Sequence, residues 1–196
     1  KIINEYLANL PVRDLLEDSE GNVWFASDNR LVKKKKKTGA FEILNPMASF
    51  MGFPARSLGD IIQDSSGKIW LLPYDGQLSY LVNDNKTAVA IYNDLHTKEH
   101  TSYVYAGYID KHEVLWYGDG GFIEKYDMKS GRFSGFQENS LFKSQSSRFW
   151  FEDSDSVIWI GATEKLIKHN RNTGTYTEVF LQYKNTKPGT VYPTMC

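Results

Sequence analysis

Asp18-Ser19-Glu20-Gly21-Asn22-Val23-Trp24, followed by Phe25-Ala26-Ser27, reads as a tight polar turn opening into a strand. Ahead of it Val12-Arg13-Asp14-Leu15-Leu16-Glu17 supplies the strand that enters the turn. The phrase returns as Asp64-Ser-Ser-Gly67-Lys-Ile-Trp70, as Asp110-Lys-His-Glu113-Val-Leu-Trp116 and as Asp153-Ser-Asp-Ser156-Val-Ile-Trp159. Its tryptophans fall 46, 46 and 43 residues apart. Self-similarity at a fixed period of this size marks a repeat architecture, because one such unit cannot bury its apolar face alone.

Each copy continues in the same way. After Leu31 comes a Thr38-Gly39 turn and the strand Ala40-Phe-Glu-Ile-Leu44, and the other copies follow this order. Four short strands joined by tight turns make one antiparallel sheet. The expected fold is all-β: four consecutive four-stranded blades of a β-propeller, over residues 12–45, 57–93, 102–137 and 146–181. Residues 1–10 and 190–196 read as partial blades, so the chain is expected to be a piece of a larger propeller. Each tryptophan is expected to pack between neighbouring blades. Each turn aspartate is expected to close its hairpin through the side chain, as Asx-type turns do. Glu113 and Ser156 replace the turn glycine in the last two copies, and those turns are expected to be looser or differently shaped.

Composition narrows function. The chain has 196 residues, a net charge of −1, 12 Tyr, 11 Phe and 5 Trp, which suits half-buried strands and implies no broad basic face for nucleic acid. No apolar run is long enough to span a bilayer. The one cysteine, Cys196, rules out an intramolecular disulfide and says nothing of the redox compartment.

The order strand, Asp-x-x-Gly, x-Trp, then Thr-Gly-x-Phe resembles the two-component regulator propeller repeat, with the best copy between Leu15 and Phe41. That resemblance implies the periplasmic sensor region of a hybrid two-component histidine kinase of the Bacteroides type. Such regions carry propellers of about seven blades. It also implies a receptor dimer in a phosphorelay, with an oligosaccharide as ligand, polysaccharide-utilisation genes as output and no cofactor. A rival reading is a propeller scaffold for dimerisation or protein contact without a small ligand. A third is a propeller lyase or glycosidase.

Several local patterns were weighed against the repeat. His96-Thr-Lys-Glu-His100 matches H-x-x-E-H, but no amphipathic helix surrounds it, so it reads as a solvated loop rather than a zinc site. The lysine run 33–37 falls on a third strand and its turn, where edge lysines discourage sheet pairing. A sialidase needs an arginine trio and a Tyr/Glu pair that four blades do not supply. A streptogramin-type lyase needs a His/Glu metal site, and neither His112 nor His169 has a plausible partner nearby in sequence. The link containing Met47, Phe50, Met51 and Phe53 is unusually apolar, and reads as a channel cap or a docking surface for another domain.

Propeller geometry points to the ligand face. Links between blades, and links between second and third strands, share one face of the disc. Arg13, Arg30, Arg56, Tyr74, Tyr105, Arg148 and Trp150 are expected there. Aromatic rings suit the apolar faces of sugars, and arginine suits hydroxyls and carboxylates. Tyr105 and Trp150 are equally suited to packing between blades.

Overall fold

The computed structural model describes residues 11–27, 30–44, 58–74, 77–82, 87–91, 104–119, 122–138, 140–142 and 146–180. The partial copies at 1–10 and 190–196, the apolar link with Met47 to Phe53, and the His96–His100 string lie outside them.

Four antiparallel meanders form. The first is β1 (Val12–Glu17), β2 (Val23–Ser27), β3 (Leu31–Lys34) and β4 (Phe41–Leu44). The second is β5 (Leu58–Gln63), β6 (Ile69–Pro73), β7 (Ser79–Val82) and β8 (Thr87–Ala90). The third is β9 (Gly107–Ile109), β10 (Val114–Asp119), β11 (Phe122–Asp127) and β12 (Arg132–Glu138). The fourth is β13 (Ser147–Glu152), β14 (Val157–Ala162), β15 (Leu166–Asn170) and β16 (Thr175–Val179). A 3-10 turn at Ser140–Phe142 is the only helical element among the described residues. The first strands touch in succession, β1 to β5, β5 to β9 and β9 to β13, so they form the innermost layer. The fold is the expected all-β array of propeller blades.

One hydrogen-bond pattern explains the repeated phrase. In each turn the aspartate Oδ1 accepts the backbone N–H groups two and four residues on. For Asp18 these are Glu20 at 3.0 Å and Asn22 at 2.8 Å. The Oδ2 accepts the indole N–H of the tryptophan six residues on, at 2.8 Å for Trp24, 2.7 Å for Trp70, 2.6 Å for Trp116 and 2.7 Å for Trp159. The carboxylate therefore ties hairpin and indole together, and the indole buries without leaving its N–H unpaired.

The expectation that the last two turns would be looser does not hold. Glu113 and Ser156 take the same left-handed backbone, at φ 64° and 61°, as Gly21 at 77° and Gly67 at 87°. Their amides make the same bond to the aspartate carbonyl, at 3.0 Å for each. The aspartate side chain over-determines the turn, so a side chain is forced into a conformation glycine adopts without cost.

Burial is organised between sheets. Trp24, Ala26 and Leu31 of the first blade pack with Leu58, Ile61, Ile69 and Leu71 of the second. Trp70 and Leu72 pack with Leu115, Tyr117 and Tyr126 of the third. Trp116 and Phe142 pack with Ile158, Ile160 and Ile167 of the fourth. Trp24, Trp70 and Trp116 thus each serve the junction with the next blade, and truncating one of these indoles would cost about 3–5 kcal/mol. The same positions on the outer sheets differ. Leu15 is 58 % exposed where its counterpart Ile61 is 2 % exposed, and at the neighbouring repeat position Phe151 of the fourth blade is 59 % exposed.

The lysine run is only partly a solvated edge. Lys34 to Lys37 are exposed. Lys33 is not: it pairs across strands with Trp24, lies 4.6 Å from the ring centroid and stands 3.7 Å from Asp18. Lys125 covers Trp116 in the same way at 4.1 Å. These are cation–π caps on the repeat tryptophan.

Candidate functional site

A single repeat position builds the candidate site. The fifth residue before each turn aspartate is Arg13, Gly59, Tyr105 and Arg148 in the four blades. In three of them the strand register slips there: between Val12 and Asp14, between Leu58 and Asp60, and between Ser147 and Phe149. The slip is a β-bulge, which takes one residue out of the in-out alternation and re-aims its side chain. All four residues line one cavity of about 600 Å³, together with Leu58 and Tyr74. That volume lies in the range of small-ligand sites.

Tyr74, just past β6, and Tyr105, just before β9, meet hydroxyl to hydroxyl at 2.8 Å with their rings edge to face. The Arg148 guanidinium lies 4.0 Å from the Tyr105 ring centroid. Gly59 is needed for close approach, since a Cβ there would collide with the carbonyl oxygen of Val104. The third blade enters the disc directly over it.

Of the seven residues expected on this face, the cavity gathers Arg13, Tyr74, Tyr105 and Arg148. Arg30 is half-buried in the β2–β3 link, where its carbonyl accepts the Ser27 amide at 2.9 Å, and it is not among the lining residues. Trp150 packs into the core between the third and fourth blades and donates its indole N–H to the Ala106 carbonyl at 3.1 Å. Arg56 lies outside the described residues.

Beneath the cavity is a pair that the sequence reading missed. Asp14 and Asp60 stand four residues before their turn aspartates, one step beyond Arg13 and Gly59. Asp14 accepts the Ile61 amide at 3.0 Å, and Asp60 accepts the Gly107 amide at 2.7 Å. Each carboxyl thus bonds to the first strand of the next blade. Burial, reinforced by the neighbouring Asp14 carboxyl, pushes Asp60 well above the usual carboxylate range. The signal was the recurring Asp-x-x-x-Asp, at 14/18 and 60/64.

The junction of the third and fourth blades carries different chemistry. Arg171 pairs with Asp110, and Glu152 accepts the Tyr108 hydroxyl at 2.7 Å. His169 is buried between Trp116 and Tyr176, and stacks on the latter at 4.1 Å. Burial, with Lys125 and Arg171 nearby, lowers its pKa to about 4. His112 sits exposed on a turn. Among the described residues no cluster of three or more His, Cys, Asp or Glu is arranged to hold a metal ion.

Blade topology defines the chain as an array of propeller blades, with a candidate site at the inner strands. Residues 6–29 match the family model described as two component regulator propeller, which is the repeat recognised in the sequence. No curated protein sequence matches the chain. Similar folds occur in the extracellular domain described as that of a hybrid two component system, BT4673, from B. thetaiotaomicron, at 15 % identity and TM-score 0.76. That match covers 92 % of this chain and 24 % of the other, so the chain spans about a quarter of that structure. The corresponding domain of BT3049 from the same organism matches at 15 % identity and TM-score 0.54, over 89 % of this chain and 30 % of that one. Virginiamycin B lyase from Staphylococcus aureus matches at 20 % identity and TM-score 0.69, over 89 % and 57 %. At these identities the likenesses establish the fold.

Proposed function

We propose that the chain is a ligand-binding segment of the extracytoplasmic sensor of a hybrid two-component histidine kinase. In this reading the cavity at the inner strands takes an oligosaccharide, the sensor lies in the periplasm as a dimer, and occupancy controls polysaccharide-utilisation genes. The observation that carries the proposal is the convergence of one repeat position, bulged in three of the four blades, into a single cavity. The repeat family and the likeness to extracellular domains of Bacteroides hybrid two component systems support the receptor context.

The arrangement suits signalling. A ligand shifts a receptor only by binding one state better than another. A ligand in this cavity touches residues from all four blades, so its binding energy depends on how the blades are spaced. Calorimetry of the receptor region containing this chain, against a panel of neutral and acidic oligosaccharides, tests the reading. Saturable heat that Tyr105→Ala abolishes supports it, and silence across the panel favours the scaffold alternative. The lyase likeness raises an enzymatic alternative. Against it, His169 and His112 are not among the residues that line the cavity.

A further inference from the structure

We propose that the saccharide held in this cavity carries an anionic group, a carboxylate or a sulfate ester, seated between Arg13 and Arg148. The inference rests on the oligosaccharide reading above and adds a chemical class to it.

The repeat does not require arginine at this position. The same bulge holds Gly59 in the second blade, and the third blade places Tyr105 there, so packing of the inner strands tolerates very different side chains. The two arginines come from the first and fourth copies and line one cavity, whose described lining holds no carboxylate. Arg148 makes no ion pair among the described residues, and its guanidinium is held against the Tyr105 ring. A guanidinium stacked on a ring keeps its donors in its own plane, the geometry that grips a planar carboxylate with two parallel bonds or spans two oxygens of a sulfate.

The carboxyls on the same inner strands are engaged with backbone groups. Asp14 and Asp60 are turned to backbone amides of the next blades, at 3.0 and 2.7 Å. Burial and the Asp14 carboxyl favour the neutral form of Asp60. Tyr74 and Tyr105 add hydroxyls that can donate to or accept from a sugar, and a ring edge for its apolar face.

The test uses the full chain and four probes: an oligogalacturonate, its fully methyl-esterified form, a sulfated galacto-oligosaccharide and its desulfated form. Titration calorimetry should show one charged probe binding at least about tenfold more tightly than its neutral counterpart, which identifies carboxylate or sulfate as the group read. The preference should weaken in salt. Arg148→Met should weaken the charged probe by about ten- to a hundredfold and the neutral one by much less, with Arg148→Lys retaining part of the charge preference. Arg148 is exposed, so the melting temperature of these variants should match the parent. Equal binding of charged and neutral forms overturns the inference and leaves the oligosaccharide reading standing. A charge preference that survives both Arg148→Met and Arg13→Met also overturns it. Failure of all four probes to bind removes both readings.

Discussion

The first two blades and the last two are copies of one unit, yet they join to their neighbours by different chemistry. In the first half a carboxyl on each inner strand accepts an amide from the next blade, Asp14 from Ile61 and Asp60 from Gly107. At the corresponding position the third blade has Ala106, whose carbonyl accepts the Trp150 indole instead. The turns divide at the same place, with Gly21 and Gly67 on one side and Glu113 and Ser156 on the other. Blade geometry is thus set by which backbone groups must be paired, and several side chains can pair them.

The two halves should also answer pH in opposite senses. Asp60 holds its proton more tightly in the folded chain than its ordinary 3.8. Its contribution to stability is therefore complete below pH 3.8 and is lost as pH rises through the raised folded value. His169 is neutral in the fold, with a pKa lowered from 6.5 to about 4. Its contribution is intact above pH 6.5 and is lost as pH falls towards 4. Acidification should loosen the third junction while it relieves the second.

The largest way to break this comparison is to remove the indole that replaces the carboxyl. Trp150→Ala should cost about 3–5 kcal/mol in urea unfolding, because it empties part of the core and unpairs the Ala106 carbonyl. Leu15→Ala, the same repeat position on the exposed face of the first blade, should cost under about 1 kcal/mol. Equal costs would show that the outer face of the first blade is covered in solution.

Next in size is the histidine. His169→Phe should flatten the fall in stability between pH 6.5 and 4 seen in the parent, a change of at most about 3 kcal/mol across that interval. Melting temperatures measured across that range check it, and an unchanged slope would place the acid sensitivity elsewhere.

A smaller effect is expected at Asp60. Asp60→Asn should cost about 1 kcal/mol near pH 4, since an amide replaces a neutral carboxyl of the same shape but brings N–H donors where the carboxyl had a single hydroxyl. It should also remove the decline in stability at higher pH. Hydrogen exchange at the Gly107 amide would report the change locally. Smallest are the turns. Glu113→Gly and Ser156→Gly should each stabilise by about 0.5–1 kcal/mol, by releasing a side chain from the left-handed region. Loss of stability would mean that those side chains do more than occupy the turn.

Much of this was legible in the chain itself. Asp-x-x-Gly-x-x-Trp names a local hydrogen-bond set whose partners lie within six residues, so sequence spacing and spatial contact coincide. Strand order within a blade follows as directly, because tight turns permit only a meander. Arg13, Tyr74, Tyr105 and Arg148 could be grouped from their places in or beside the links on one face, although Arg13 and Arg148 lie within β1 and β13.

What the sequence did not show lies in register and in contacts between blades. That Arg13, Gly59 and Arg148 turn towards one cavity with Tyr105 depends on bulges in three of the blades, and a bulge shifts alternation by a residue without a dedicated residue type. The Asp14 and Asp60 clamps join residues 47 apart, and burial against the next blade decides the protonation of Asp60. Trp150 could stack on a sugar or fill a junction, and only the position of Ala106 settled which. Local hydrogen bonds determine the unit, whereas the cavity and its charge arise where four units meet, and that meeting is decided by long-range packing.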